Sequence, residues 1–320
     1  MALIGGGAAW PLAARSQTPG PAVIGYLSGA QAGIAPHLLD AIRQGLKDVG
    51  YVEGQNLTIE YRYADNQFDR LPALAAELVA RPVAAIMANG NLSALAAKRA
   101  TTTIPIVFNT AGEPVAVGLV TGLNRPGSNV TGFGFFSGSL AAKRLGLLRE
   151  LVPKVQTVGV LLDPNSQFYA SQRKETQDAA RTLGLKVLPL PAGTERDIDA
   201  AFATMDKQKV RALLVSASPY FSWNRKAQII ELAARNAVPA IYPIREWVAD
   251  GGLMSYGANL TDTYRLVGVY TGKILKGVRP DDLPVQHSTW FELAINANTA
   301  RALALEVPSR ILALADTVVG

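Results

Sequence analysis

Two patterns of apolar and polar residues alternate along the chain from residue 22 onward. "AVIGYLS" (22–28) is an unbroken apolar run, as a strand buried on both faces requires. "PHLLDAIRQGLKDVG" carries Leu38, Leu39, Ile42 and Leu46 at helical spacing and stops at Gly50, the usual helix terminator. "LTIEYRYA" predicts a strand, "FDRLPALAAELVAR" a helix with Asp69 near its start, "VAAIMAN" a strand, "LSALAAKRAT" a helix and "IPIVFNT" a strand. The same order then recurs. "TVGVLLD", "LKVLPLP", "VRALLVSA" and "VPAIYPI" read as strands, separated by the helices "SQRKETQDAARTLG", "ERDIDAAFATMDKQ" and "NRKAQIIELAARNA". Gly25 and Gly159 lie 134 residues apart, as do Pro105 and Pro239, which open the fourth strand of each half.

Each half is therefore a run of βαβ units, which cross over right-handed into a parallel sheet covered by helices on both faces. The predicted fold class is α/β, with two Rossmann-like lobes of parallel sheets joined by a hinge. Ligands of open α/β sheets bind beyond the carboxyl ends of the strands, so the cleft between the lobes is the expected site. The strand ends read "SGAQAG" (28–33), "ANGN" (88–91) and "NTAGE" (109–113) in the first half. In the second half they read "DPNSQFY" (163–169), "SASPYF" (216–221) and "YPIREW" (242–247). They supply the candidate ligand contacts Ser28, Gln31, Asn89, Asn91, Asn109, Glu113, Asn165, Tyr169, Ser218, Tyr220, Tyr242 and Arg245. Any one of these residue types is equally what a turn or a helix N-cap uses; gathered at one edge of both sheets, they point to a binding cleft. Phe168, Phe221 and Trp247 join Tyr169, Tyr220 and Tyr242 as aromatics for stacking or for core packing, and Arg245 is a partner for a ligand carboxylate or for its neighbour Glu246.

Composition narrows the function classes. Hydrophobic residues make up 49% of the 320 and charged residues 18%, which fits a folded chain with large cores. The net charge of +6 is spread out, with no basic run interleaved with aromatics, so no nucleic-acid partner is expected. No cysteine is present, which removes disulfides and thiolate chemistry. The two histidines, His37 and His287, lack metal-ligand spacing. There is no G-x-S-x-G elbow; "GVYTGKI" (268–274) sits in a helical pattern and is no phosphate loop, and "GFGFFSG" (132–138) lacks dinucleotide spacing. No metal and no cofactor are expected, and no catalytic residue emerges. The first twenty residues are small and apolar, with Ala14 and Ser16 placed as the −3 and −1 residues of a signal-peptidase site before Gln17. Residues 1–16 read either as an export signal lacking its basic start or as a disordered tail.

Three stretches carry a resemblance: "EPVAVGLVTGLNRPGSNVTG" (113–132), "GLMSYGANLTDTYRLVGVYTGKILKG" (252–277) and "LPVQHSTWFELAINANTARAL" (283–303). They resemble the ABC-transporter substrate-binding proteins of the tryptophan- and tyrosine-binding type, with a type I periplasmic binding fold. Glu113-Pro114 stands where that family typically has Asp-Pro, and Ser128 replaces the second glycine of its Pro-Gly-Gly. The resemblance implies a periplasmic receptor that binds an aromatic amino acid or an aromatic or other organic carboxylate. It implies a hand-over to an ABC permease with its ATPase, action as a monomer, and no enzymatic activity. It also implies lobe 1 over 22–132 plus 258–279 and lobe 2 over 133–257 plus 280–320. Chain crossings are expected near 128–136, 254–260 and 277–285, with Tyr256 and Asn259 near the hinge. Arg245 and Ser218 stand where amino-acid-binding members often carry acids. The competing readings are an enzyme on a two-lobed scaffold and a cytoplasmic ligand-sensing regulator, which would need a helix-turn-helix ahead of Val23.

Overall fold

The computed structural model describes residues 20–135, 140–288 and 290–320; the leader reading of residues 1–16 lies outside the described residues. The first half runs β1 (Ala22–Ser28), α1 (Pro36–Asp48), β2 (Leu57–Tyr63), α2 (Leu71–Val79), β3 (Ile86–Asn89), α3 (Asn91–Ala100), β4 (Ile106–Thr110) and β5 (Val130–Gly134). The second runs α4 (Ala141–Leu151), β6 (Thr157–Leu162), α5 (Tyr169–Thr182), β7 (Lys186–Pro191), α6 (Glu195–Lys207), β8 (Leu213–Val215), α7 (Lys226–Arg235), β9 (Ala240–Tyr242), α8 (Glu246–Ala249) and β10 (Met254–Ala258). The chain then returns to the first lobe through α9 (Leu260–Leu275) and β11 (Gln286–His287). It closes with β12 (Phe291–Asn296), α10 (Ala297–Ala302), α11 (Ser309–Leu314) and β13 (Thr317–Val319).

The strand order is β11-β5-β4-β3-β1-β2 in one sheet and β13-β12-β10-β9-β8-β6-β7 in the other. Pairings are parallel except at β10–β12. The segment β4-β3-β1-β2 has the same order as β9-β8-β6-β7, so the repeat in the sequence is a repeat in topology. Its glycine pair has a shared steric cause. A Cβ on Gly25 would lie 3.0 Å from Leu78 of α2, and one on Gly159 would lie 2.9 Å from Met205 of α6. Each glycine lets the equivalent helix settle onto its sheet. Both faces of both sheets carry apolar clusters.

The return of α9 to the first lobe is fixed by a close helix crossing. A Cβ on Gly45 would stand 1.8 Å from the Arg265 carbonyl oxygen, and one on Gly268 would stand 2.2 Å from that of Ile42. Leu38, Ile42, Leu46, Tyr264, Val267 and Tyr270 are buried around this contact.

Two expected lobe limits shift. Phe133 is buried in the first lobe and β5 runs to Gly134, past the limit expected at 132. Residues 280–288, expected in lobe 2, return to the first sheet. Asp281 Oδ1 accepts from Gly127 N, Leu283 O from Thr131 Oγ1 and Leu123 O from Val285 N, and β11 pairs with β5. The chain is therefore still on the first sheet at Ser288 and on the second by Phe291, later than the crossing expected near 277–285. The segment contributes Leu283 and Val285 to the core one at a time, too short an alternation to announce a strand.

Candidate ligand-binding cleft

Register brings the first polar groups together. Ser28 pairs with Asn89, and Asn89 with Asn109, across the carboxyl ends of β1, β3 and β4. The strand order reverses at β1, so this edge is a topological switch point, where open α/β sheets bind ligands. Asn89 is the hub: its Nδ2 donates to Tyr26 Oη (3.1 Å) and Ser28 Oγ (3.3 Å), and its Oδ1 accepts from Tyr264 Oη (2.7 Å). On the facing lobe, Ser218 Oγ donates to Asp163 Oδ2 at 2.6 Å, and Asp163 Oδ1 accepts from Asn165 N.

Between these edges lies a cavity of about 230 Å³, lined from both lobes. Lobe 1 contributes Ser28, Asn66, Phe68, Asn89, Asn91, Ser93 and Phe135, with Leu260 and Tyr264 from α9. Lobe 2 contributes Gln167, Phe168, Ser218, Ser222, Trp223 and Ile244. The volume lies below the ~300–1,000 Å³ of drug-sized ligand sites, which suits a solute the size of an amino acid. A smaller chamber of about 40 Å³ opens beside it, towards Gln31, Tyr26 and Tyr63.

The lobes meet around the cavity. The Phe168 ring of lobe 2 stands where a Cβ on Gly112 of lobe 1 would come within 2.8 Å. Trp223 and Ile244 of lobe 2 pack against the apolar cluster of lobe 1, and His37 Nε2 lies 3.3 Å from Glu246 Oε1 across the gap. At the crossings, the buried Arg144 guanidinium donates to the carbonyls of Tyr256 and Pro243, and burial lowers its pKa to about 10. Asn259 caps α9 through Asp262 N and donates to Glu292 Oε2. Its backbone N–H donates to Trp290 O, which ties two crossings together.

The cavity wall is electrically quiet. Among the described residues, no Asp, Glu, Lys, Arg or His lines it. Burial pushes the Tyr264 phenol up to about 12 and raises that of Tyr26 as well, so both are neutral hydrogen-bonding groups at ordinary pH. The positive end of α3 faces this space. Its N-cap is Gly90 at φ 90°, with no side-chain cap. The first-turn amides of a helix lack intrahelical acceptors, and together they carry about half a positive charge. Asn91 Nδ2 and Ser93 Oγ are buried without a hydrogen-bond partner among the described residues.

Of the residues singled out from sequence, Ser28, Asn89, Asn91 and Ser218 come together on this wall, and Gln31 lines the side chamber. The others lie off the main cavity. Asn109 is buried and accepts from Gly90 N. Glu113 stands 3.7 Å from His287 Nε2. Asn165 shapes the turn beside Gly193. Tyr169 and Tyr256 pack on a lobe 2 apolar cluster, and Tyr220 packs beside Arg225. Tyr242 is core, 1% exposed and stacked on Trp247 at 4.6 Å. Arg245 points away to Glu292, at 3.7 Å. Asn259 works as a cap at the crossing. Sequence reading overlooks Asn66, Phe68, Ser93, Trp223 and Tyr264. Asn66 and Phe68 follow the carboxyl end of β2, where the strand-end rule would find them. Ser93 and Tyr264 sit one turn inside helices and carry no such signal.

Among the described residues, no helix is long and apolar enough to cross a membrane, and no three acidic or histidine side chains are grouped to hold a metal. A tyrosine-binding protein of Clostridioides difficile (strain R20291) is 28% identical over 278 residues, 84% of this chain and 78% of the relative. An ABC domain in complex with L-Trp from Streptococcus pneumonia superposes with a TM-score of 0.83 at 23% identity, over 93% of this chain and all of that one. A ligand-free, open substrate-binding protein with adhesive properties from Clostridium difficile gives 0.72 at 26% identity, over 93% and 99%. The family model described as ABC transporter substrate binding protein matches residues 35–319. With this two-lobed fold and an uncharged cavity between the lobes, the chain belongs to the ABC transporter substrate-binding protein family.

Proposed function

We propose that this chain is an exported, monomeric receptor that captures a small aromatic solute between its lobes and delivers it to an ABC permease. One observation carries the reading. Phe68 from one lobe and Phe168 and Trp223 from the other wall a cavity of amino-acid size, with hydroxyls and amides as its polar groups. Flat apolar faces on both sides suit an aromatic ring, and the few polar atoms set its orientation. The relatives named for tyrosine and for L-Trp support the aromatic class. Closure follows from the split wall: neither lobe encloses the ring alone.

Titration calorimetry with aromatic solutes, aliphatic amino acids and sugars tests this. Trp223 emission serves as a second readout from inside the cavity. Aromatic compounds are expected to bind at micromolar concentration or below and to change that emission. Binding confined to sugars or aliphatic amino acids refutes the reading.

A further inference from the structure

Resting on the aromatic reading above, we infer that the ligand is an aromatic carboxylate without an α-ammonium group, its carboxylate held at the N-terminus of α3. The lobe 1 wall carries several unoccupied donors. Asn91 Nδ2 and Ser93 Oγ, on side chains 5% and 1% exposed, have no hydrogen-bond partner among the described residues. Asn91 Nδ2 can only donate. Gly90 supplies no capping oxygen, so the first-turn amides of α3 also face outward as donors. Ser28 Oγ already accepts from Ala30 N and Asn89 Nδ2, which leaves its proton to give. Asn89 Oδ1 is taken by Tyr264 Oη. A carboxylate matches such a wall, because it accepts several hydrogen bonds and gains from the helix dipole.

An α-ammonium has no counterpart there. Among the described residues no acid lines the cavity. Asp163 is held by Ser218 and Asn165, Glu246 Oε1 lies beside His37, Glu113 beside His287, and Glu292 Oε2 beside Asn259 and Arg245. Glu246 Oε2 and Glu292 Oε1 are buried off the cavity wall with no partner among the described residues. The residues outside the description contain no Asp or Glu. Ser218 Oγ, its proton committed to Asp163, stands in the opposite lobe. There it accepts an N–H or O–H from the ligand, away from the carboxylate. A buried ammonium without an anionic partner is strongly disfavoured.

The test measures affinities by calorimetry for 3-phenylpropanoate, its amide and L-phenylalanine, and for 3-(indol-3-yl)propanoate and L-tryptophan. Wild-type protein is compared with Ser93→Ala and Asn91→Asp, each checked for unchanged circular dichroism. An acid at the first turn of a helix favours the helix, so Asn91→Asp keeps the fold while repelling the carboxylate. On wild type, the acids are expected to bind at least tenfold tighter than both the amide and the amino acids. Asn91→Asp should lower acid affinity by thirtyfold or more and amide affinity by less than threefold; Ser93→Ala should cost the acids five- to tenfold. Amino acids that bind as tightly as the acids overturn this inference and leave the aromatic reading intact. So does an Asn91→Asp variant whose acid affinity stays within threefold of wild type. If no aromatic compound binds the folded protein, the aromatic reading fails and this inference with it.

Discussion

Replacing Gly45 by alanine adds one methyl group at the place where α1 and α9 touch. The added Cβ would lie 1.8 Å from the Arg265 carbonyl oxygen, which is backbone and has no rotamer to change. To restore contact distance the helices must part by more than about 1 Å, a displacement that costs ~1–3 kcal/mol in a packed core. The same gap spreads over Leu38, Ile42, Leu46, Val267 and Tyr270, whose dispersion contacts lose a quarter to a half of their depth when separated by ~0.5–1 Å. Against this stands the helix propensity of alanine over glycine, worth ~0.8–1 kcal/mol. With the lost dispersion added, the expected net loss is ~2–4 kcal/mol, or roughly 4–16 °C in Tm at ~2–4 °C per kcal/mol. Gly146 on α4 provides the control, because nothing lies within 4 Å of its added Cβ. Gly146→Ala should gain ~0.4–1 kcal/mol. Thermal and urea unfolding of both variants measure the contrast. Since α9 carries Tyr264 into the cavity wall, Gly45→Ala should also weaken ligand binding. If both substitutions move Tm in the same direction, the close crossing does not govern the placement of α9.

Phe168→Ala should weaken aromatic ligand binding by ~1–3 kcal/mol with little change in Tm, as hot-spot rings do. Tyr242→Ala should instead cost ~3–5 kcal/mol of stability through a core cavity; calorimetry beside thermal melting separates the two. Arg245→Ala should leave affinity within about twofold, because its guanidinium faces Glu292 and not the cavity. Burial pushes Tyr264 up to about 12 in the folded chain, from 10.0 when exposed. The unfolded chain therefore ionises first as pH rises. Stability is whole below pH 10 and declines towards pH 12, and Tyr264→Phe should flatten that decline in urea melts. Arg144→Lys should destabilise by ~2–3 kcal/mol, because an ammonium cannot reproduce the guanidinium fork that serves the Tyr256 and Pro243 carbonyls.

The fold was legible wherever local pattern and topology coincide. Continuous apolar runs marked β1, β4 and β6, and the equal spacing of Gly25 and Gly159 reflected one steric need met twice. The residues 280–288 were not legible, because their place is set by single contacts such as Asp281 to Gly127 across a long loop. Within the cleft, the strand-end rule reached Ser28, Asn89, Asn91 and Ser218 because side chains at sheet edges are placed by register. It misassigned Tyr242, which shares that edge but points inward, since a period-2 strand alternates faces. Trp223 sits in a π-helical turn over Tyr220–Asn224, and Tyr264 is delivered by a helix from the far end of the sequence. Neither position has a local signature.

The third crossing has a consequence for how the chain can be assembled. The edge strand of the first sheet comes from residues 286–287 and that of the second from 317–319, while the Gly45–Arg265 contact joins segments 220 residues apart. Each lobe is therefore interrupted in sequence by a segment of the other. During synthesis neither lobe can be completed before nearly the entire polypeptide has emerged, and closure of such long loops is slow. A break at the second crossing, between β10 and α9, leaves both sheets incomplete in both fragments, so those two pieces should associate with each other more readily than either folds alone.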